Sequence, residues 1–153
     1  MKRLPILMTV LTLASCTSTD PIVDRIRNVE VSSGDLTVRS AYALVPFSNS
    51  PMPAYLSIEN RGSEPDTLLA VQAGEGFPVP SLHGAEMQRL VTVAIGGGES
   101  VGFAPGGRHI MFEPPLPAVF RGDSLQLSLT FARAGTVVIQ AFVIGYDEVD
   151  AVR

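Results

Sequence analysis

Lysine and cysteine are almost absent from this chain, and each scarcity excludes a class of protein. The single lysine, Lys2, lies at the amino terminus, and the cations beyond the first sixteen residues are singly placed arginines. Because the net charge is −4 and no basic patch exists to hold a phosphate backbone, nucleic acid is not an expected partner. The single cysteine, Cys16, excludes an intramolecular disulfide, so the core must form by apolar packing.

A long apolar run is also missing. The apolar stretch of residues 4–13 is too short for a permanent membrane helix, which needs about 20 residues. It follows Lys2 and Arg3 and leads into Leu-Ala-Ser-Cys16. A positive start, a short apolar core and small residues before a cleavage site are typical of a secretory signal. This pattern alone leaves open a plain secretory leader with an incidental cysteine, or a leader cut nearby, besides a lipoprotein signal.

The Leu-Ala-Ser-Cys box resembles the lipobox of bacterial lipoproteins, in which the cysteine is acylated and becomes the mature amino terminus. We therefore expect residues 1–16 to be a lipoprotein signal peptide and Cys16 to carry a lipid anchor in the membrane. The expected location is the periplasmic side of the cell envelope. Thr17, which follows the cysteine in place of aspartate, favours the outer membrane.

The rest of the chain predicts one β domain. Residues 17–28 are polar and contain Pro21, which predicts a short tether, and residues 29–153 are a usual length for one domain. No 15-residue window beyond the leader has a helical apolar stripe. Short alternating or β-branched runs separated by turn residues instead predict an all-β, antiparallel β-sandwich of cupredoxin-like or immunoglobulin-like type. The predicted strands cover residues 35–45, 54–60, 67–72, 88–95, 100–103, 109–112, 124–131 and 136–144.

Histidine is scarce as well, and its two positions point to a metal. His83 and His109 lie in one window with Met87 and Met111. Imidazole and thioether are soft, uncharged ligands that suit Cu(I), whereas Cu(II) favours more nitrogen and oxygen. Zinc normally uses cysteine, histidine or carboxylate. These four side chains are therefore candidate ligands of a copper ion, Cu(I).

Strand geometry places two of these candidates together. In a strand, His109 and Met111 point to one face while Ile110 points to the other. Just before them, a proline and two glycines at residues 105–107 allow a tight turn. His83 and Met87 would also share a face if their segment is extended, although the intervening glycine permits a looser path.

Other chemistry does not emerge from the sequence. Met52 lies between two prolines in a predicted loop, from which it would supply an auxiliary thioether if that loop covers the site. No Gly-x-Ser-x-Gly elbow is present. The glycine run at residues 96–98 has no lysine after it and predicts a hairpin turn rather than a phosphate loop. We therefore expect neither an enzyme nor a small-molecule substrate.

The spacing of the candidate ligands carries a resemblance to a known family. Met87, twenty-one residues, His109, one residue and Met111 resemble the second half of the copper-binding motif of the periplasmic copper chaperones called the PCu(A)C family. Residues 105–112, with Pro-Gly-Gly-x-His-hydrophobic-Met, resemble that family's stretch around the motif. Residues 54–62 and 122–131 resemble two of its strands, so the likeness spans about residues 35–144.

The resemblance implies that the protein carries copper rather than converting a substrate. It implies ligands at His83, Met87, His109 and Met111, and acceptors among the proteins that assemble the copper centres of a respiratory terminal oxidase. One departure is clear: three residues separate His83 from Met87, where the family has a longer segment forming a small hairpin. The alternative is therefore an envelope interaction module of the same fold that has lost or weakened its metal binding.

Overall fold

A computed structural model of the chain describes residues 20–152, so the predicted signal peptide and Cys16 lie outside the described residues. Within them, strands dominate and two short helices flank the sheet, which confirms the all-β class. The helices are α1 (Pro21–Asn28) and α2 (Val149–Val152), and a 3₁₀ turn (Tyr146–Glu148) precedes α2. The strands are β1 (Glu30–Ser33), β2 (Leu36–Leu44), β3 (Met52–Asn60), β4 (Asp66–Ala73), β5 (Ser81–His83), β6 (Arg89–Leu90), β7 (Val93–Ile95), β8 (Ser100–Phe103), β9 (His109–Phe112), β10 (Ser124–Phe131) and β11 (Gly135–Ile144).

The strands form one hydrogen-bonded sheet that folds over into two packed layers. Its order is β6-β5-β9-β3-β2-β11-β10-β4-β7, with β1 paired to β2 and β8 paired to β3. All neighbours are antiparallel except β2 and β11, which are parallel over three residue pairs. The predicted antiparallel sandwich is thus confirmed, with one parallel pairing in the middle of the strand order.

Alternation along the strands builds the core. In β10, Leu125, Leu127, Leu129 and Phe131 are buried, while the residues between them are exposed or half-buried. This is the period of two expected of a sheet with one face against the core. Buried side chains from both layers meet in a single apolar cluster. Burial of this surface is the main source of stability in a domain without disulfides.

The structure divides one predicted strand and adds others. Residues 88–95 were expected to form one strand but form β6 and β7, which lie at opposite edges of the sheet. The chain must cross between the layers there, and Val91 is 87% exposed at the crossing. The short strands β1 and β5 were not predicted separately, because three or four residues carry too little alternation to be recognised.

The interpretation of Met52 was wrong. Met52 begins β3 instead of lying in a loop, and its backbone is paired with Phe112 of β9. Its side chain is fully buried in the core, on the same side of β3 as Ala54. Met52 therefore fills the core and supplies no auxiliary thioether.

The predicted tether is largely folded. Asp20 caps α1, since its carboxylate accepts a hydrogen bond from the N–H of Ile22 at 2.9 Å. One side of α1 is buried against the outer face of the sheet and against α2. The residues that share this second cluster are Ile22, Val23, Ile26, Tyr42, Leu44, Tyr55, Ile144, Val149 and Val152. Only residues 17–19 then separate Cys16 from the packed domain.

Asp66 joins the start of β4 to the turn between β10 and β11. Its carboxylate accepts hydrogen bonds from the backbone N–H groups of Thr67 at 2.7 Å, and of Arg133 and Ala134 at 2.9 Å each. Burial raises the pKa of Asp66, but these three donors and the charge of Arg133 outweigh it and lower the pKa below its usual value.

We expect Asp66→Asn to lower the melting temperature near pH 7 and to matter much less at pH 2. The folded-state pKa is below the unfolded value of 3.8, so the carboxylate contributes its full stability above that value. This contribution is lost as the pH falls through the folded-state pKa. Thermal unfolding at both pH values measures the difference. Glu75→Gln, on an exposed side chain, is the control, and an equal effect of Asp66→Asn at both pH values would contradict the assignment.

Candidate metal centre

The strand β9 carries His109 and Met111 on the outer face of the sheet. Ile110 between them is fully buried in the core, as is Phe112 after them. The predicted geometry of this His-x-Met segment is confirmed. The role of the two side chains as ligands stays a prediction.

A type II-like turn positions His109. The N–H of Gly107 donates to the carbonyl of Ala104 at 2.9 Å, and Gly106 has a φ of 79°, in the left-handed region that glycine adopts without strain. Pro105 occupies the preceding position, which its fixed φ favours. The tight turn expected from this segment is therefore present, and it directs the carbonyl of Gly107 toward the His109 ring.

Pairing of β5 with β9 brings the second histidine to the first. His83 lies directly opposite His109, and Ser81 lies opposite Met111. The two imidazole rings stack at a centroid distance of 5.4 Å with an interplanar angle of 28°. Both histidines and Met111 are thus placed by the rigid part of the sheet.

Met87 approaches from a turn rather than from a strand. Residues 84–88 connect β5 to β6, and the Met87 N–H donates to the carbonyl of Gly84 at 3.1 Å. Of the two paths that the sequence leaves open for the His83–Met87 segment, the structure therefore shows the looser one and not the extended one. Met87 has a φ of 61°, which is strained for a residue with a side chain, and it is 58% exposed.

Three of the four candidate ligands line one cavity of about 210 Å³. Its lining residues are Pro53, Tyr55, Ala85, Met87, Gly106, Gly107, His109 and Met111. His83 does not line this cavity but contacts it through the stacked His109 ring. The structure therefore gathers two thioethers and one imidazole at one place, with the second imidazole beside them.

The hydrogen bonds of His109 define which nitrogen is available. Its Nδ1 lies 3.0 Å from the carbonyl oxygen of Gly107, and a carbonyl can only accept, so Nδ1 carries the proton. In the neutral imidazole, Nε2 is then the unprotonated acceptor, and it is buried without a hydrogen-bond partner. A metal-binding histidine commonly donates its other ring N–H to a backbone carbonyl in this way. The arrangement fits a metal ion held by Nε2.

In the neutral form of His83, both ring nitrogens are engaged, including the one that a metal would need. Nδ1 lies 3.0 Å from the carbonyl oxygen of Met87 and must donate to it. Nε2 lies 2.9 Å from Oγ of Ser81 and accepts from that hydroxyl. Ligation by His83 through Nε2 therefore requires the Ser81 hydroxyl to turn away. Sequence reasoning missed Ser81, although its position two residues before His83 on one strand would have placed both side chains on one face.

Tyr55 connects the cavity to the helical cluster. It lines the cavity and also packs in the cluster of α1 and α2, with its ring 5.1 Å from that of Tyr42. No signal in the sequence distinguished it from other strand residues. The metal centre and α1 therefore lie side by side on the outer face of the sheet.

Conventional hard-metal or zinc sites are not part of the described structure. Over residues 20–152, no three side chains among His, Cys, Asp and Glu converge with metal-binding geometry. Across the same residues, no helix has both the length and the apolar character to cross a membrane.

Comparison with protein families gives one match. Residues 36–143 match the model of a family described as "Putative lipoprotein LpqE-like". This match covers well over half of the chain and includes all four candidate ligands. No curated protein matches the chain.

Solved structures of similar fold include two PCuAC domains and the protein DR1885. The apo PCuAC domain of PmoF1 is 28% identical, with a TM-score of 0.69 over 76% of this chain and 98% of its own. The copper-bound PCuAC domain of PmoF2 is 24% identical, with the same TM-score over 76% of this chain and 97% of its own. The Cu(I) form of DR1885 from Deinococcus radiodurans is 18% identical, with a TM-score of 0.57 over 69% of this chain and 76% of its own.

Proposed function

This chain belongs to the LpqE-like family of putative lipoproteins, and from that premise we propose that it is a lipid-anchored Cu(I) carrier of the cell envelope. It shares the fold of PCuAC copper-binding domains. The description of the family as putative lipoproteins is consistent with a lipid anchor, which we assign to Cys16 from the sequence. We further propose, from the sequence alone, that the anchor is on the periplasmic side and, because Thr17 follows Cys16, at the outer membrane. Its work is to hold and transfer an ion, not to convert a substrate.

The buried, unpartnered Nε2 of His109 carries the proposal. A buried polar atom without a partner costs free energy, and native structures rarely leave one without a purpose. His109 lines one cavity together with Met87 and Met111. An ion at this place would satisfy the nitrogen that the fold leaves unpaired.

The chemistry of the donors selects Cu(I) among the metals. Two thioethers and one or two neutral imidazoles offer no negative charge to a hard ion. Glu86, the nearest carboxylate along the turn, belongs to the exposed surface and does not line the cavity. A soft monovalent ion is the cargo that this set fits.

The same donors favour release to a partner. Neither thioether carries the charge of a thiolate, so a partner with cysteine ligands can displace them. Met87 is the exposed donor, on a turn at the surface, and it is the side chain that such a partner reaches first. We infer that the acceptors are proteins that assemble the copper centres of a respiratory oxidase.

The second candidate is an interaction module of the envelope with weakened metal binding. The engagement of both His83 nitrogens by Met87 and Ser81 favours it, because this histidine is satisfied without a metal. The shortened segment between His83 and Met87 is consistent with that arrangement. The two functions differ in one measurable property, which is the Cu(I) affinity of the domain.

Titration of the protein lacking residues 1–16 with Cu(I), against a competing chelator under anaerobic conditions, tests the proposal. We expect a one-to-one complex. We also expect opposite effects of two neighbouring substitutions: His83→Ala weakens binding by about tenfold, while Ser81→Ala, which removes a competing hydrogen bond of about 1 kcal/mol, strengthens it by about fivefold.

Each result of that titration has one meaning. Absence of a one-to-one complex would favour the interaction module. Normal binding with no change in either variant would leave His83 outside the site, with Met87, His109 and Met111 as the ligands. Circular dichroism of each variant serves to show that the fold is retained.

A further inference from the structure

The exposed aromatic side chains all lie at one end of the domain. Phe47 and Phe120 are each 68% exposed, and Tyr146 is 46% exposed. The chain has seven phenylalanines, three tyrosines and no tryptophan, and all ten aromatic residues fall within residues 20–152. The other seven rings are buried or half-buried.

These three side chains belong to adjoining loops. The rings of Phe47 and Tyr146 stack at a centroid distance of 4.8 Å. Phe120 borders the same hollow as Pro46 and Ser48, the two neighbours of Phe47. We call the surface formed by Phe47, Phe120 and Tyr146 the aromatic end.

The chain enters the domain at this same place. Arg121, which follows Phe120, holds Asp20 at 2.5 Å and Glu148 at 2.6 Å through Nη2. Glu148 is two residues from Tyr146, and Asp20 is the cap of α1. Asp20, the first described residue, is therefore held at the aromatic end by its ion pair with Arg121.

The length of chain before Asp20 limits how far the domain can lie from its anchor. Three residues separate Cys16 from Asp20. Four backbone steps span at most about 14 Å when fully extended. An acyl anchor at Cys16 therefore keeps the aromatic end within about 14 Å of the lipid surface.

We propose that the aromatic end rests on the bilayer, with the rings of Phe47, Phe120 and Tyr146 in the interfacial layer. This inference rests on the lipid anchor of the proposed function. Aromatic rings favour the boundary between headgroups and acyl chains, where apolar area is buried and polar groups stay hydrated. Lipid is the partner that covers this surface, because the anchor at Cys16 keeps the aromatic end next to the bilayer.

The charges around the aromatic end specify the kind of lipid contact. Asp20 and Glu148 neutralise Arg121, and Asp123 and Asp147 add further negative charge nearby. Because the net charge around the aromatic end is negative, anionic headgroups gain no electrostatic attraction from it. The contact therefore depends on the aromatic rings and the anchor, and zwitterionic phosphatidylcholine suffices for it.

This orientation also places the metal centre. Pro53 lines the cavity and follows Phe47 by six residues, which span at most about 20 Å. The cavity then lies close to the membrane, on the sheet face beside α1. A copper acceptor held in or at the same membrane is within reach of Met87 without release of the anchor.

A single-tryptophan experiment tests the inference, since the natural chain has no tryptophan. The lipidated full-length protein carrying Phe47→Trp is reconstituted in phosphatidylcholine vesicles and quenched with brominated lipid. Val91→Trp, at a site 87% exposed outside the aromatic end, is the matched control. We expect a blue-shifted emission and several-fold stronger quenching for Phe47→Trp, and the same for Phe120→Trp.

The outcomes separate the orientation from the anchor. Equal, weak quenching of all three indoles in protein that co-sediments with the vesicles would overturn the orientation and leave the anchor intact. If the Cys16→Ser form remains with membranes as the parent protein does, the anchor at Cys16 is wrong and the orientation loses the premise on which it rests. If the parent does not co-sediment, the anchor and the orientation are both wrong. Copper binding is unaffected by either result, because the titration needs no membrane.

Discussion

Replacing His109 with alanine should weaken Cu(I) binding by at least about 100-fold, since loss of even an outer-shell partner of a metal ligand costs 10–100-fold. Among the buried side-chain nitrogen and oxygen atoms of the described residues, Nε2 of His109 is the one without a hydrogen-bond partner. The variant removes this donor and keeps the cavity walls formed by Met87 and Met111. Chelator competition with the protein lacking residues 1–16 measures the change.

A neighbouring substitution shows whether the effect belongs to the ligand. Arg108→Ala alters an exposed residue that precedes β9 and should leave the Cu(I) affinity unchanged. The metal-free stability of the His109→Ala protein should fall little, because the lost packing of the ring is offset by removal of an unpartnered buried nitrogen. Affinity that survives in the His109→Ala variant would show that copper, if bound, is held elsewhere.

Truncation of Phe112 to alanine should destabilise the fold by about 3–5 kcal/mol, the usual cost of emptying a phenylalanine site in a core. Phe112 is fully buried at the end of β9, and its ring meets the edge of Phe77 at a centroid distance of 5.8 Å. Its backbone is paired with Met52, which is fully buried as well. The void left by the missing ring would therefore open in the core, where β3 and β9 pair and support the candidate metal centre.

Denaturant unfolding of the metal-free protein measures this loss. Phe120→Ala is the matched control, because it removes the same side chain from an exposed position and should change the free energy of unfolding by no more than about 0.5 kcal/mol. Similar destabilisation by the two substitutions would mean that β9 does not anchor the core. We also expect the Phe112 variant to bind Cu(I) more weakly, since His109 and Met111 depend on the same strand.

Local rules were sufficient for the part of the site that lies on one strand. His109 and Met111 share a face because side chains alternate along any strand, and Ile110 points to the core for the same reason. The turn before them follows from a proline and a glycine in the positions that a type II turn requires. Neither inference needed knowledge of the neighbouring strands.

The rest of the site depends on contacts that are distant in sequence. His83 faces His109 because β5 and β9 pair in one register, and a shift of that register by one residue would turn His83 to the other face of the sheet. Met87 reaches the cavity from a strained turn, which no periodicity indicates. Ser81 matters only because its hydroxyl meets His83 in the folded chain.

The helix α1 escaped prediction for a different physical reason. It has eight residues, and its three buried side chains, Ile22, Val23 and Ile26, give an apolar stripe only two turns long. An isolated helix of this length is not stable in water. Its stability comes from packing on the sheet, so its existence is a property of the tertiary structure.

The left-handed backbone of Met87 has an evolutionary meaning. A glycine at this position would adopt the same φ without strain, so a chain selected for stability alone would carry glycine in this turn. The methionine makes the domain less stable than it could be and places a thioether at the surface in return. With Met87 as the proposed ligand, stability and copper binding conflict at residue 87. A library of variants selected for stability should therefore recover glycine there, and the recovered variants should bind copper more weakly.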